Sequence, residues 1–476
     1  VAVLPARVER ATDLTERTDP PAGDGPEAID IEGGTRAMQQ RTRMRALIGG
    51  GVVAALATVG LATASGAAVR AADPGVTDKD VTIGYIYPAT GVAASISQNG
   101  VKAFQARVDR ENAAGGVNGR KIEVVAKDDA SSAQNVPVTH DLVENEKVFA
   151  VVDQSPFAFL SYRYLLDQGV PMVGNGVDGT YYQQKGNEAI LSSGGNGTPF
   201  GDITYDGPAR IMKMAGAKKV GVLAYGAASS SVAAAKALTT YAAPAVGLDP
   251  VYTNTSIDFG ASDVGAPVLG LKNAGADGVY LPMAAATNVA VAQGLQQNGV
   301  QMKAVLMGTG YGQDLLDSPA AKSLPDSTIF LAGFKPVELK DAATKRFQAD
   351  LKKYADITGV PDYGMYTGYV LADYTIAAMK AAGKDLTRQS FVDAGHGIGQ
   401  YDAAGLACAP VDVSLGNLGK VPPKSCGYAL RLKDGKFQLF PKSGKPITQK
   451  LVGSPDALAA NKQGLAAPTT TAAPAS

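Results

Sequence analysis

The fold class this sequence predicts is α/β: two lobes, each a mostly parallel sheet flanked by helices, with a cleft between them for a ligand. Three observations carry that reading. Short apolar strands recur with starts at residues 121, 148 and 171, and again at 219, 250, 277, 304 and 327, the interval of one strand-helix unit. Their cores lack polar alternation, as expected of strands covered by helices on both faces. A stretch rich in Gly and turn residues, "SSGGNGTPFGDITYDGP" (192–208), separates the two series in the manner of a crossover.

Residues 1–72 read as a leader ahead of the fold. "RTRMR" (41–45) supplies positive charge, "ALIGGGVVAALATVGLATA" (46–64) an uncharged apolar run, and "SGAAVRAADPG" (65–75) small residues suited to cleavage. The expectation is export, with a mature start near Asp73; an uncleaved membrane anchor over 46–64 is the alternative. The polar residues 1–37 ahead of that leader suggest Met38 or Met44 as the natural start. The first Cys is Cys408, so no N-terminal lipid anchor is expected.

The first series then reads "VTIGYIYP" from Val81, "KIEVVAKD" from Lys121, "VFAVVDQ" from Val148 and "PMVGNG" from Pro171. Before the second strand, Gly115 and Gly116 end a helix and "VNG" turns the chain. That strand closes on Asp128 and Asp129, at the carboxyl edge where open α/β sheets hold ligands. A helix-capping or hinge-closing role is nonetheless expected of both. The second series reads "KVGVLAYG", "PVYTNTS", "DGVYLPM", "AVLMGTG" and "STIFLAGF". Helical patterns follow at 339–359 and 365–383, then a hairpin turning on Asp434-Gly435. The expected division is 73–200 with 335–400 as one lobe, 201–334 with 401–455 as the other, and a disordered tail over 456–476, where "GLAAPTTTAAPAS" is of low complexity.

Composition removes several function classes. Lys plus Arg and Asp plus Glu are both 44, so no basic footprint for nucleic acid exists. Two His and two Cys are too few for an ordinary zinc site, and neither metal nor cofactor is expected. Cys408 and Cys426, close together in a Gly/Pro-rich segment of an exported chain, are expected to form a disulfide. Tyr181 and Lys185 have the Y-x-x-x-K spacing of short-chain dehydrogenases, but "ATGVAASIS" (89–97) lacks the glycines a pyrophosphate needs. "GTGYG" (308–312) lacks the third Gly and any Lys-Ser/Thr pair, and neither His140 nor His396 has a nucleophile for a triad. No enzyme is expected.

The blocks "VTIGYIYPATG", "ENAAGGVNGRKIEVVAKDDASS", "VENEKVFAVV", "GVPMVGNG", "GAKKVGVLAYG", "LKNAGADGVYLP" and "LQQNGVQMKAVLMGTG", in that order over about residues 78–400, resemble the branched-chain amino acid (Leu/Ile/Val) binding proteins of ABC importers. The resemblance implies the two-lobe type I periplasmic binding protein fold, a small organic ligand, ABC permease subunits as partners and a monomer. In that family, Ser and Thr after the third and fourth strands hold the ligand's carboxylate and amine, and an acid after the strand ending "MG" receives the ammonium. Here those loops read "DQSPFAF" (153–159) and "GNGVDGTYY" (174–182), and the acid's place falls at Gly310. The resemblance therefore implies a ligand that is not an amino acid, since a buried unpaired ammonium costs several kcal/mol. A true branched-chain amino acid binder, with Asp178 serving the ammonium, and an anchored sensing ectodomain are the alternatives. The candidate contacts are Thr90, Gln154, Ser155, Phe157, Val177 and Asp178, then Tyr181, Ser229, Ala285, Gly310, Tyr311, Tyr363 and Tyr366. Phe157 and Tyr311 lead, both expected at the cleft mouth with little part in stability.

Overall fold

Two sheets divide the chain. The computed structural model describes residues 73–176, 178–195 and 201–464, which lie in one compact unit. Residues 1–72, Val177, 196–200 and 465–476 fall outside the described residues, and with them the expected leader and the site candidate Val177.

The first sheet holds β1 (Asp80–Tyr87), β2 (Lys121–Asp128), β3 (Ala150–Asp153), β4 (Met172–Gly174) and β5 (Ile190–Ser192), all parallel, in the order β2-β1-β3-β4-β5. The second begins with β6 (Ile203–Tyr205), β7 (Lys219–Tyr225), β8 (Asp249–Ile257), β9 (Gly278–Leu281), β10 (Ala304–Met307) and β11 (Thr328–Ala332). A two-stranded ribbon of β12 (Gln400–Tyr401) and β13 (Val411–Asp412) intervenes, and β14 (Lys424–Lys433), β15 (Lys436–Phe440) and β16 (Ile447–Gly453) complete the second sheet. Its order is β6-β16-β14-β11-β10-β9-β7-β8, with β15 beside β14. The five strands from β7 to β11 are parallel; β14, β16 and β6 run antiparallel to their neighbours.

Each strand of both series forms, with β2 and β8 departing from the fully buried pattern. Both are edge strands of the parallel runs, so one side meets solvent and Glu123 and Thr253 are exposed. The hairpin turns where expected: Asp434 and Gly435 both have positive φ, 51° and 68°, which matches the right-handed twist of the flanking strands.

After β11 the chain returns to the first sheet. Helices Ala342–Ala355 and Tyr363–Ala382 pack on helix Gly100–Ala113, and Arg388–Gly397 packs on Tyr363–Ala382. Close approach requires glycine there: a Cβ on Gly368 would stand 2.2 Å from the carbonyl oxygen of Gly100. Buried Arg107 joins the helices through Asp373, with Nε to Oδ1 at 2.8 Å. The chain then returns to the second sheet, where Cys408 and Cys426 are joined in a disulfide across 18 residues, as the sequence predicts. A last helix, Pro455–Gln463, stands where a disordered tail is expected from 456. Ser454 caps it by accepting the Ala457 amide, and Pro455 supplies the fixed φ of a first helical residue. No helix among the described residues is long and apolar enough to cross a membrane.

Candidate ligand-binding cleft

In each sheet the strand order reverses next to the first strand of its series, between β1 and β3 and between β7 and β9. The loops leaving the carboxyl ends of strands diverge at such points and leave a crevice. Here the two crevices face each other. The first lobe contributes Ile96 and Ser97 from a short helix after β1, Gln154 to Pro156 after β3, and Asn175 and Asp178 after β4. The second contributes Ser230 after β7, Phe259 after β8, Met283 and Ala284 after β9, and Thr309 to Leu315 after β10.

Between them lie three adjoining cavities of about 310, 290 and 50 Å³. Ile96 and Tyr363 line all three, so they form one branched space rather than separate sites. The lobes also touch across it. The rings of Phe157 and Phe259 are 5.8 Å apart, and Asn99 donates to Asp314 of the second lobe at 3.3 Å while donating to Asp362 at 2.8 Å. A larger concavity of about 700 Å³ lies away from the cleft, beside Arg210, Lys213 and Lys445, and shares no residue with it.

The candidate residues separate into groups. Gln154, Ser155, Asp178, Ala285, Gly310, Tyr311 and Tyr363 line the cleft. Tyr363 is central; Gln154 is largely committed, accepting from the Tyr85 hydroxyl and donating to the Gly364 carbonyl at 2.8 Å. Thr90 lies outside: its hydroxyl donates to Asp128 at 2.6 Å. Asp128 also accepts the amides of Ala89, Thr90 and Ala130, and Asp129 accepts from the Ser131 amide, Asn135 and the Ser155 hydroxyl. The two acids tie the loops after β1, β2 and β3 together, the scaffold role expected of them.

Several candidates stand elsewhere than expected. Phe157 borders the space through Phe259 rather than lining it. Tyr181 is buried in the first lobe, stacked on Tyr162 at 4.3 Å with its hydroxyl donating to Asp178. Tyr366 is buried against Phe334 and Phe347. Ser229 is exposed at its helix start, and its neighbour Ser230 faces the cleft instead. Tyr311 touches the space but is only 6% exposed: its hydroxyl donates to Glu338 at 2.7 Å and accepts the Val337 amide at 3.2 Å, and its ring meets Phe437. The expectation that Tyr311 matters little to stability is therefore corrected. Ile96, Ser97, Met283, Thr309 and Phe259 were missed. Ile96, Met283 and Phe259 had a signal, a lone larger side chain among small or polar residues in a loop after a strand; Ser97 and Thr309 had none.

Electrostatics distinguish the smallest chamber. Asp178 is 5% exposed, and burial pushes its carboxyl up to about 6 despite the Tyr181 hydrogen bond. Close to it, burial pushes Asp153 well above the usual carboxylate range, and the charges of Asp178 and Asp129 add to the effect. Among the described residues lining the three cavities there is no Lys, Arg or His. Those residues likewise contain no group of His, Cys, Asp and Glu placed to hold a metal ion.

The sequence matches the family described as periplasmic binding protein over residues 80–436, three quarters of the chain. The chain belongs to the periplasmic binding protein family. It is similar to an amino acid binding protein of Pseudomonas aeruginosa, 30% identical over 30% of this chain and 38% of the relative. It is likewise similar to Leu/Ile/Val-binding protein homolog 3 of Brucella melitensis, 30% identical over 48% of this chain and 58% of that protein. The chain thus matches well under two thirds of the length of either curated relative. Among solved structures, the fatty acid ABC transporter substrate-binding protein of Thermomonospora curvata superposes with a TM-score of 0.65 at 23% identity, covering 81% of this chain and 96% of that one. The branched-chain amino acid transporter substrate binding protein of Streptococcus pneumoniae, in complex with isoleucine, gives 0.60 at 19%, covering 79% and 100%. The two-lobe type I fold of the Leu/Ile/Val-binding kind is the one the sequence predicts. The family's role is to bind solutes.

Proposed function

We propose that this periplasmic binding protein is the extracytoplasmic component of an ABC importer. It closes its lobes over a small organic molecule with an apolar body and no carboxylate, and presents the closed form to permease subunits in the membrane. The ligand is not an amino acid.

The observation that carries this reading is the state of the groups after β3. The Ser155 amide donates to Asp153 at 2.8 Å, the Ser155 hydroxyl donates to Asp129, and the Phe157 amide donates to the Ser155 oxygen at 3.1 Å. A carboxylate placed there finds these donors already engaged, meets Asp178 across the same chamber, and has no cation to offset it. Burying such an unpaired charge costs several kcal/mol, enough to remove useful affinity. The two larger chambers, walled by Ile96, Phe259, Met283, Val289 and Leu315, offer apolar surface, and Thr309, Tyr363 and the Asn99-paired carboxylates of Asp314 and Asp362 add polar edges.

A thermal-shift screen over carboxylates, amines, alcohols and amino acids tests this. A ligand at a hundredfold excess over its Kd stabilises by about 2.7 kcal/mol. The expected hits lack a carboxylate, with leucine, isoleucine and valine inert. Micromolar binding of leucine by calorimetry would overturn the ligand class and leave the fold untouched.

A further inference from the structure

We propose that the small chamber between Ser97 and Asp178 is the head-group subsite of the cleft, and that it takes a primary ammonium carried by an apolar body. The inference rests on the solute-binding reading above and assigns the end of the ligand that the first lobe grips.

Three independent features of this chamber converge. The first is its size: about 50 Å³, enough for one compact polar group, opening past Ile96 and Tyr363 into chambers of about 290 and 310 Å³. The second is Ser97. It is 2% exposed, it lines the chamber, and its hydroxyl has no hydrogen-bond partner. Leaving a buried hydroxyl unpaired is unfavourable, a penalty that a ligand atom in reach of it relieves. The third is charge. Asp178 also lines the chamber, and Asp153 and Asp129 lie close to it. No Lys, Arg or His lines the chamber.

A donor with positive charge satisfies all three. An ammonium has three N–H groups and no acceptor, so it donates to the Asp178 carboxylate and to the Ser97 oxygen together. Since no cation of the protein lines the chamber, none competes for the Asp178 carboxylate. Tyr181 and Tyr182 face it from the turn Thr180–Gln183, Tyr363 faces it from the helix across the chamber, and Asp153 faces it from β3. A hydroxyl head would engage Asp178 through a single neutral donor and gain little from the acids close to it. A carboxylate head would be repelled.

The test uses a panel of straight-chain and phenyl-substituted primary amines of four to ten carbons, with the matched alcohols and carboxylates, measured by calorimetry on the full folded protein. At pH 7.5 at least one amine is expected to bind at least tenfold more tightly than its alcohol. Asp178→Asn, which keeps an acceptor for the Tyr181 hydroxyl, removes that preference, and Ser97→Ala weakens the amine severalfold while leaving circular dichroism unchanged. In the wild type the amine's affinity falls about tenfold per pH unit below 6, where protonation of Asp178 competes. Alcohols binding as tightly as amines, unaffected by Asp178→Asn, overturn the head-group assignment and leave the solute-binding reading standing. Carboxylates binding best overturn both. No amine of the panel binding overturns the assignment, as does an amine affinity that stays flat between pH 7.5 and 5.

Discussion

The two walls of the cleft are made from the same kind of unit and do different work. On the first lobe, the loops after β1, β3 and β4 offer Ser97, Gln154, Ser155 and Asp178; Ser155 is tied to Asp129, Gln154 to Tyr85 and Gly364, and Asp178 to Tyr181. On the second, the loops after β8, β9 and β10 offer Phe259, Met283, Ala285 and Leu315, with Thr309 turned back onto the Met283 carbonyl at 2.7 Å. The first wall is polar; the second carries the larger apolar side chains, with Ser230, Thr309 and Asp314 as its polar members. If the proposed reading holds, the difference divides recognition: the first lobe would decide which head group enters and the second how much hydrocarbon is buried.

The sharpest way to break that division is Tyr311→Ala. The residue belongs to the second lobe and touches the cleft, yet its ring and hydroxyl are committed to Phe437 and Glu338. The expected loss is about 3 to 5 kcal/mol of folding stability, as for other buried large aromatic truncations, read from the urea midpoint. Tyr363→Ala, by contrast, should chiefly lower ligand affinity. If the two variants behave alike, the distinction between wall and support fails.

Next in size is the acid. The Asp178 carboxyl lies near 6 in the fold and near 3.8 when unfolded, so its stabilising contribution is complete below about pH 4 and is lost as pH rises through 6. Asp178→Asn should therefore stabilise the ligand-free protein at pH 7.5 by up to about 3 kcal/mol, and by nothing near pH 4, in paired thermal melts. A polar wall that costs stability is what selection for binding, rather than for folding, leaves behind.

Removing the disulfide through Cys408→Ser with Cys426→Ser should cost roughly 3 kcal/mol for a loop of this length, measured by denaturant unfolding, with affinity unchanged because the bridge lies off the cleft. The smallest expected effect is on the apolar wall: Phe259→Ala should weaken an apolar ligand by about 1 to 2 kcal/mol in calorimetry, and Phe157→Ala by less. Equal losses would place Phe157 inside the wall rather than beside it.

Much of the fold was legible because buried parallel strands are written as short apolar runs, and Ala150–Asp153, Gly278–Leu281 and Ala304–Met307 carry that pattern plainly. The strands β5, β6 and β16 were not legible, since three-residue segments and an antiparallel strand set by its partners have little pattern of their own. The site was legible only to the level of loops. "DQSPFAF" points to the right loop, but whether Ser155 faces a ligand or Asp129 depends on a contact 26 residues away. Tyr311 and Tyr366 look like cleft aromatics in sequence, and their burial follows from Phe437, Phe334 and Phe347, which arrive from distant segments.

The Phe157 and Phe259 rings, which meet from opposite lobes, bear on time as well as on shape. A lobe separation that opens this side of the mouth must first part them, and an aromatic pair is worth about 0.5 to 1.5 kcal/mol beyond its buried area. Set against a barrier to departure, that amounts to a two- to twelvefold longer residence of the guest, with little effect on how fast it arrives. The pair would then act as a latch whose strength sets how long the cleft stays shut over a guest.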